Sequence, residues 1–418
     1  MNKVNAVMVG GLFDENGISA FARPVLFGTA GDAMRDALPD AVEACFFAHD
    51  DREPAVAGAQ DIALDAANRF ASLAALPESE HVLVLAAPFA LAEEDALFHL
   101  AETHLNTGYG VSVLSAEQQG FDAEGQPLPR DSRCYAAMFT WDMLKKALAS
   151  GADTLDGLVA AAVAAGAQKG IAITNKIYVI CDGTAAFMAQ VEMMQRVNYG
   201  LIKKGVQIFD LTSTYIAPDA DIAPGATILP GCHIRPGCKV GAGAVIGPNT
   251  ILEKAEIGAG TTVNNSQVYE STVGSNTTVG PFAYLRPHTK VGAGCKVGDF
   301  VEMKNSSFGD GSKAAHLTYV GDADVGSGVN LGCGVVFVNY DGTNKYRAQI
   351  GNDVFVGCNS NLVSPVQIGD GAYIAAGSTV TEDVEADALY IARSRGTQKQ
   401  GWVSAKGIWN KKSKAQTK

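Results

Sequence analysis

Hydrophobic positions recur every six residues through the C-terminal half of the chain. The first run of aliphatic positions comprises Ile216, Ile222, Ile228, Ile234, Val240, Ile246 and Leu252. Two further runs comprise Val273, Val279, Leu285, Val291, Val297 and Met303, and Ile350, Val356, Leu362, Ile368, Ile374 and Val380. Gly, Ala, Pro, Asn and Asp lie between them. This period fits neither an amphipathic helix, which repeats every 3.6 residues, nor a half-buried strand, which repeats every two.

Three short strands joined by tight turns satisfy this period, because each strand turns one aliphatic side chain inward. Eighteen residues then return the chain to its starting corner, and successive coils pair as parallel strands about 4.8 Å apart. Residues 216–380 therefore predict about nine coils, a prism on the order of 40 Å long. The hexapeptide pattern resembles the left-handed parallel β-helix acyltransferases, and the handedness is implied by that resemblance alone.

The N-terminal half alternates between apolar strand-like runs and Ala-rich helical stretches, which is typical of an α/β layered domain. The predicted strands are Ala6–Val9, His81–Leu85, Ile171–Thr174 and Ile177–Ile180, and the predicted helices are Leu91–Thr103 and Thr154–Ala165. Residues 186–206 predict one further helix between the two halves. The predicted organisation is an α/β domain over 1–185, a connecting helix and linker over 186–212, a β-helix over 213–392 and a basic tail over 393–418.

Composition narrows the class of protein. Gly is frequent (46 of 418 residues) and aromatic residues make up only 8 %, which favours repeated tight turns. The net charge is −12, yet residues 393–418 carry eight Lys and Arg and no acid, so residues 1–392 carry −20. An acidic body argues against nucleic-acid binding. The eight cysteines form no CxxC pair, which predicts reduced, buried thiols and no metal site. With no signal segment and no long apolar run, we expect a cytoplasmic protein without membrane insertion.

The repeat places distant residues on neighbouring coils. Arg286 and Lys304 are 18 residues apart, and each follows an inward aliphatic position. Two cations stacked about 5 Å apart repel each other unless an anion lies between them. The pattern favours an anion site, although two unrelated solvated charges remain an alternative.

A second column contains a histidine. His316, Cys333, Cys358 and Ala376 each lie two residues after an inward position, provided that Asn339–Gln349 forms an extruded loop. A histidine below a column of small residues suggests a groove for a long, extended ligand such as a pantetheine arm. A lone histidine is more often structural, and the column favours the functional interpretation.

Motifs over residues 280–402 resemble one known family. LRP, KAAHLTYVGD, NYDGTNK and TQKQGW occur in this order. They resemble the acetyltransferase half of the bifunctional N-acetylglucosamine-1-phosphate uridyltransferase/glucosamine-1-phosphate acetyltransferase family. The resemblance implies a homotrimer that transfers the acetyl group of acetyl-coenzyme A, its co-substrate, to an amino sugar phosphate.

The resemblance also implies residue roles. His316 is the implied general base, a task that a neutral imidazole suits near pH 7. The implied contacts to glucosamine 1-phosphate are Arg286, Lys304, Tyr319, Asn330 and Lys345. The implied contacts to acetyl-coenzyme A are Cys333, Asn339, Tyr340, Cys358, Ala376 and Arg393. Cys333 and Cys358 replace the family's Ala and Ser, and both stay small. A nucleophilic Cys333 is an alternative, but the family uses direct transfer.

The N-terminal half departs from the same family. Where the family has a Gly-rich turn with an Arg that holds UTP phosphates, this chain has Gly10 and Gly11 followed by Asp14 and Glu15. Where the family has a magnesium-binding Asp, the chain has Ala87, whose side chain cannot ligate a hard cation. Asp182 is an alternative metal ligand or a surface residue. We therefore expect a degenerate nucleotidyltransferase-like domain, with Mg²⁺ required only if that domain is active.

These observations predict a glucosamine-1-phosphate N-acetyltransferase whose product feeds UDP-N-acetylglucosamine and the cell-wall polymer peptidoglycan. One alternative is a fully bifunctional enzyme with a diverged uridyltransferase site. Another is a non-enzymatic trimeric scaffold, or a protein that binds nucleotide sugars. The intact His316, Arg286, Lys304 and Tyr319 speak against the scaffold, and the lost phosphate-loop Arg and magnesium Asp speak against the bifunctional enzyme.

Overall fold

A computed structural model describes residues 3–91, 96–116, 134–174 and 177–408. The chain divides into two compact units. The α/β unit comprises Met1–Ala220 and Pro230–Pro236, and the β-helix unit comprises Asp221–Leu229 and Gly237–Lys418. The four predicted domain bounds remain a prediction. Among the described residues, no helix has both the length and the hydropathy needed to cross a membrane.

A seven-stranded sheet forms the centre of the α/β unit. Its strands, in spatial order, are β10 (Lys169–Thr174), β8 (Val111–Ala116), β9 (Ala136–Thr140), β6 (His81–Leu85), β1 (Val4–Val9), β4 (Val42–His49) and β5 (Gln60–Ala63). All neighbouring pairs are parallel except those of β9, which runs antiparallel to β6 and β8. Two small antiparallel pairs accompany it: β2 (Pro24–Val25) with β3 (Gly28–Thr29), and β7 (Phe89–Leu91) with β11 (Ile177–Val179).

Helices pack on the sheet because both of its faces are apolar. The helices are α1 (Ala30–Asp36), α2 (Ala96–Thr107), α3 (Trp141–Leu148), α4 (Leu155–Ala164), α5 (Gly183–Lys203) and a 3₁₀ helix at Arg69–Ala75. Helix α5 packs against β2, β7 and β11 of the small strand pairs. Along β1, Val7 and Val9 belong to one buried cluster, while Ala6 and Met8 belong to the cluster on the opposite face. Strands buried on both faces read as continuous apolar runs, which is why β1 and β6 were visible in the sequence.

The predicted elements of this unit are confirmed with shifted bounds. The helix predicted over Leu91–Thr103 begins at Ala96 instead, since Leu91 ends the strand β7; residues 92–95 lie outside the described part of the chain. The helix predicted over 186–206 begins earlier, at Gly183, because the Asp182 carboxylate accepts the Ala185 N–H at 2.8 Å. Such an N-cap satisfies an otherwise unpaired donor, so Asp182 has a structural role.

A hydrogen-bonded pair of histidines lies between α2 and the sheet. His81 Nδ1 and His104 Nε2 are 3.1 Å apart, and His104 Nδ1 lies 3.1 Å from Ser112 Oγ. His104 is fully buried. Burial, together with the smaller effect of the neighbouring His81, lowers the pKa of His104 to about 4. His104 is therefore neutral in the folded protein at pH 7.

We expect the α/β unit to lose stability as the pH falls below about 6.5, the usual pKa of an unfolded histidine. Between pH 6.5 and 4 the unfolded chain binds a proton at His104 and the folded chain does not, so this group removes up to about 3 kcal/mol. Urea unfolding followed by circular dichroism at 222 nm measures the loss. His104→Gln is the control, and an equally steep pH dependence in that variant would contradict the assignment.

The β-helix is built from three parallel sheets. The first face comprises Gln207–Ile208, Thr227–Ile228, Val245–Ile246, Thr262–Val263, Thr278–Val279, Lys296–Asp299, Lys313–His316, Asn330–Leu331, Phe355–Val356, Tyr373–Ile374 and Leu389–Tyr390. The second face comprises Tyr215–Ile216, His233–Ile234, Ile251–Glu253, Gln267–Tyr269, Tyr284–Leu285, Glu302–Lys304, Tyr319–Gly321, Val336–Val338, Asn361–Val363 and Thr379–Val380. The third face comprises Asp221–Ile222, Lys239–Val240, Glu256–Ile257, Thr272–Val273, Lys290–Val291, Ser307–Phe308, Ala323–Val325, Ala348–Ile350 and Val366–Ile368.

The inward positions of these strands are the aliphatic residues of the six-residue repeat, and they are buried. The chain therefore has the predicted architecture, an α/β layered domain and a parallel β-helix of three sheets. A short helix, α6 (Trp402–Ala405), lies within the basic tail, and residues 409–418 lie outside the described part.

Candidate active site

The predicted column around His316 is present on the first face. Pairing places the inward residues Val297, Ala314, Leu331, Val356 and Ile374 opposite one another on successive coils. His316, Cys333, Cys358 and Ala376 each follow two residues later, so they share one corner, as predicted. The structure adds Asp299 one coil before His316, and the two residues are direct partners in the sheet. Extending the same count back by one coil would have found Asp299.

His316 has a defined orientation. Its Nδ1 lies 2.6 Å from Oδ1 of Asp299. This hydrogen bond is the main reason that the pKa of Asp299 is below its usual value. An ionised carboxylate only accepts hydrogen bonds, so Nδ1 carries the proton of the neutral imidazole. The Nε2 atom then has a free lone pair, as a general base requires.

The coil that follows His316 combines close backbone packing with a free N–H donor. Gly332 packs so closely on the next coil that a Cβ atom there would lie 2.7 Å from the Cys358 nitrogen. Within the described residues, the backbone N–H of the adjacent Cys333 has no hydrogen-bond acceptor. A free N–H close to a base is the kind of donor that stabilises negative charge on a carbonyl oxygen.

Arg286 and Lys304 are stacked on the second face, as predicted, because Leu285 lies opposite Met303. Each cation has an acidic partner in the chain: Arg286 Nη1 lies 2.8 Å from Glu302 Oε1, and Lys304 Nζ lies 3.6 Å from Asp322 Oδ2. These acids offset the repulsion that seemed to require a bound anion. Repulsion between the two cations is therefore not sufficient evidence for a bound anion. Both side chains still lie side by side and are partly exposed.

Asn339, Tyr340 and Lys345 lie on the extruded loop. The loop is shorter than the predicted Asn339–Gln349, since Ala348 and Gln349 already belong to a strand of the third face. Tyr340 and Lys345 form an isolated β-bridge across it. The charge of Lys345 acts on Asp322, which places the loop beside the cations of the second face.

The remaining predicted residues lie around this region. Tyr319 is half-buried on the second face opposite Glu302, and its electrostatic interaction reaches Arg286. Asn330 is half-buried on the first face, one coil after Lys313. Arg393 is exposed, and its Cδ lies beside Gly377 at the top of the column. Each chain therefore contains two clusters. The first consists of His316 and the small residues at the first face, and the second consists of the cations, Tyr319 and the extruded loop at the second face.

The face that carries His316 is open to solvent. The His316 side chain is 56 % exposed. Three large apolar side chains at the neighbouring turns are also more than half exposed, and their backbone φ angles are positive: Phe282, Phe300 and Leu317. Positive φ is unfavourable for bulky residues. Three open grooves of this unit lie along the third face instead.

The turn after β1 of the α/β unit is closed by an internal carboxylate. Glu53 is buried, and it accepts the Gly11 N–H at 2.9 Å and the Ser19 hydroxyl at 2.7 Å. A Cβ atom on Gly10 would lie only 2.3 Å from Glu53 Oε2. Asp14 is paired with Arg23, so this acid has an internal partner. The sequence indicated the acids near this turn, but nothing in it pointed to Glu53.

Metal ligands are not assembled in the described parts of the chain, where no group of three or more His, Cys, Asp or Glu residues is placed to bind an ion. Ala86 and Ala87, at the end of β6, are buried. Asp182, the alternative metal ligand, is the N-cap of α5.

All eight cysteines are free thiols. Four are buried (Cys134, Cys232, Cys238 and Cys295), whereas Cys181 and Cys358 are exposed and Cys45 and Cys333 are intermediate. The prediction of uniformly buried thiols is therefore wrong for half of them. Burial raises the pKa of Cys45 to about 11 and that of Cys134 to about 12, which keeps both protonated.

This fold and its repeat define the class of protein. Residues 219–254, 270–305 and 347–382 match the family described as bacterial transferase hexapeptide (six repeats). The β-helix therefore carries hexapeptide repeats that match this family model.

The chain is homologous to proteins named bifunctional protein GlmU, which confirms the resemblance found in the sequence. The protein of Clostridium botulinum (strain ATCC 19397 / Type A) is 48 % identical over 223 residues, which cover 53 % of this chain and 49 % of that protein. The protein of Caldicellulosiruptor saccharolyticus is 50 % identical over 217 residues, 52 % of this chain and 47 % of that protein. The chain thus spans about half the length of the curated relatives that it matches.

Among solved structures, a 2-C-methyl-D-erythritol 4-phosphate cytidylyltransferase from Thermus thermophilus is 19 % identical with a TM-score of 0.36, over 46 % of this chain and 98 % of that chain.

Proposed function

We propose that the protein transfers the acetyl group of acetyl-coenzyme A to the 2-amino group of glucosamine 1-phosphate, giving N-acetylglucosamine 1-phosphate for UDP-N-acetylglucosamine synthesis. The observation that carries the proposal is the His316–Asp299 pair, 2.6 Å apart, at the foot of a column of small residues. Homology to GlmU proteins supports the substrate class.

In this mechanism His316 Nε2 accepts a proton from the sugar amine as the amine attacks the thioester carbon. The Cys333 N–H donates to the carbonyl oxygen as negative charge develops on it. The tetrahedral intermediate then expels coenzyme A as a thiolate, which takes a proton from the His316 imidazolium. The carboxylate of Asp299 stabilises that imidazolium while it exists.

The substrates are held by charge and shape. Arg286, Lys304 and Lys345 bind the sugar phosphate, and Tyr319 and Asn330 contact the sugar. The small residues Cys333, Cys358 and Ala376 leave room for the pantetheine arm, while Asn339, Tyr340 and Arg393 bind the rest of coenzyme A.

We propose a cytoplasmic homotrimer in which neighbouring chains close the site. The exposed His316 and the exposed apolar residues Phe282, Phe300 and Leu317 support this assembly, because contiguous exposed apolar surface is typical of an interface. Analytical ultracentrifugation of the full chain measures the assembly state, and a monomer that is fully active would contradict this part of the proposal.

The test of the function is thiol release from acetyl-coenzyme A by the full chain, measured with a series of amino sugar phosphates. Glucosamine 1-phosphate should give the highest kcat/KM. Absence of acetyl transfer to every acceptor would favour the alternative of a non-enzymatic scaffold or nucleotide-sugar-binding protein.

Arg286→Ala and Lys304→Ala should each raise the KM for the sugar phosphate by roughly tenfold to a hundredfold. Each removes a charge-assisted contact worth about 1.5–3 kcal/mol. Steady-state kinetics with each substrate varied in turn measures the effect. Lys239→Ala is the matched control, because Lys239 is an exposed cation of the third face whose Nζ lies 2.9 Å from Glu256 Oε1. A rise in the KM for acetyl-coenzyme A alone would contradict the assignment of the cations to the phosphate.

A further inference from the structure

A buried carboxylate joins the parts of the candidate site that hold the sugar phosphate. Asp322 lies at the turn that follows the strand Tyr319–Gly321, and it is only 7 % exposed. One of its oxygens accepts from Asn305 Nδ2 at 2.7 Å, and the other accepts from Asn339 Nδ2 at 2.5 Å. Asn305 belongs to the coil before and Asn339 to the coil after, so Asp322 links three successive coils.

Both ends of the extruded loop are attached to Asp322. The side chain of Asn339 binds its carboxylate where the loop begins, and the Ala348 N–H donates to its backbone carbonyl at 3.1 Å where the loop ends. A second contact supports the loop end, because Arg347 forms a two-point ion pair with Asp324 at 2.5 Å. Residues 340–346 lie between these attachments.

The same carboxylate faces two cations. Lys304 Nζ lies 3.6 Å from Asp322 Oδ2, and Lys345 of the loop also interacts with it electrostatically. Burial by itself would raise the pKa of Asp322, but the hydrogen bonds from Asn305 and Asn339 and the two lysine charges together lower it below its usual value. Asp322 is therefore ionised at neutral pH.

We infer that Asp322 is a positioning residue, which holds Lys304 and the extruded loop in one fixed arrangement around the sugar phosphate without contacting the substrate itself. This inference rests on the proposed function. It assigns to Asp322 the task of holding in place the side chains that are proposed to bind the phosphate. An ammonium group that is already held in position binds a phosphate more tightly, because no conformational entropy is lost in ordering that side chain when the phosphate binds.

A carboxylate matches this environment without rearrangement of its neighbours. Two amide groups donate to position 322, so two acceptor oxygens are required. In Asp322→Asn one oxygen becomes an NH₂ group, so Asn305 or Asn339 must turn its amide over to pair with it, and the negative charge that faces Lys304 and Lys345 is lost. The double variant Asp322→Asn/Asn305→Asp restores the pattern, because residue 322 then donates to the new carboxylate at 305 and still accepts from Asn339. Positions 305 and 322 both have positive φ, which Asn and Asp tolerate.

The experiment compares acetyl transfer and amide hydrogen exchange in four full-length proteins: wild type, the single variant, the double variant and Asp353→Asn. The last is a matched control, since Asp353 also occupies a turn with positive φ but is exposed. In the single variant we expect kcat/KM for the sugar phosphate to fall at least tenfold. The amides of Tyr346 and Ala348, bonded to Asn339 and Asp322, should exchange at least tenfold faster.

The double variant should return to within about threefold of wild type in both measurements, and the control should stay within twofold. Unchanged kinetics and exchange in the single variant would overturn the inference. The inference would also be overturned by a double variant that unfolds at the wild-type thermal midpoint but regains neither the kinetics nor the exchange rates of wild type. If the wild type transfers no acetyl group at all, the proposed function fails, whereas the exchange rates still decide whether Asp322 holds the loop.

Discussion

Replacing His316 with Ala should lower kcat for acetyl transfer by about 10²- to 10⁴-fold, the usual contribution of a general base. The amine of the sugar phosphate must lose a proton as it attacks, and in this site His316 is the residue with an oriented, free ring nitrogen. Its Nδ1 is committed to Asp299 at 2.6 Å, so Nε2 is available for that proton. The binding of coenzyme A should stay nearly unchanged, because an Ala side chain keeps the column small.

Thiol release under saturating substrates measures kcat, and calorimetric titration measures coenzyme A binding. His288→Asn is the control, since His288 is another exposed histidine of the β-helix and Asn tolerates its positive φ. A folded His316→Ala protein that keeps more than a tenth of the wild-type rate would show that another group is the base. Loss of activity in Cys333→Ala would instead favour covalent transfer through that thiol.

The α/β unit should not form UDP-N-acetylglucosamine from UTP at a useful rate. Uridylyl transfer ordinarily requires a metal ion and cationic or backbone donors around the triphosphate. In this chain Glu53 already binds the Gly11 N–H, and its negative charge would repel a phosphate in that turn. The end of β6 supplies Ala86 and Ala87 where a ligand for the metal would be needed. Each missing contribution is worth several kcal/mol in comparable sites, so the loss should reach several orders of magnitude.

Pyrophosphate release with UTP, N-acetylglucosamine 1-phosphate and magnesium measures this activity. Acetyl transfer by the same sample shows that the protein is intact. A turnover of about 1 s⁻¹ or more, the low end of ordinary enzymes, would mean that the α/β unit is a diverged uridyltransferase and that the chain is bifunctional.

The hydrophobic pattern within each strand explains why some strands of the α/β unit could be predicted and others could not. Strand β1 is buried on both faces and is apolar at every position except Asn5, whereas β5 (Gln60–Ala63) lies at the sheet edge and is mostly exposed. Such an edge strand has a weak hydrophobic signal, because in β5 it is Ile62 that packs against the core. Strand β4, which is apolar at Phe46 and Phe47, could have been found from its composition.

The six-residue repeat determined most of the β-helix by itself. Apart from the coil with the extruded loop, each coil spans 16 to 18 residues, so a residue's corner follows from counting the inward positions along the chain. Counting along the chain was sufficient to predict that Arg286 stacks on Lys304 and that His316 lies one coil before Cys333. The Asp299–His316 pair was equally accessible by counting.

Only the tertiary structure decided the contacts that join residues across turns or between elements. The burial of Asp322 between two amides and two lysines depends on side-chain directions at three coils and on where the extruded loop returns. The contact of Glu53 with Gly11 joins residues 42 positions apart, one in the segment after β1 and the other in the segment after β4. Such contacts have no period, since they form when unrelated segments fold against each other. For that reason the sequence by itself determined the repeat and its columns, while the partners of the buried charges were decided by packing.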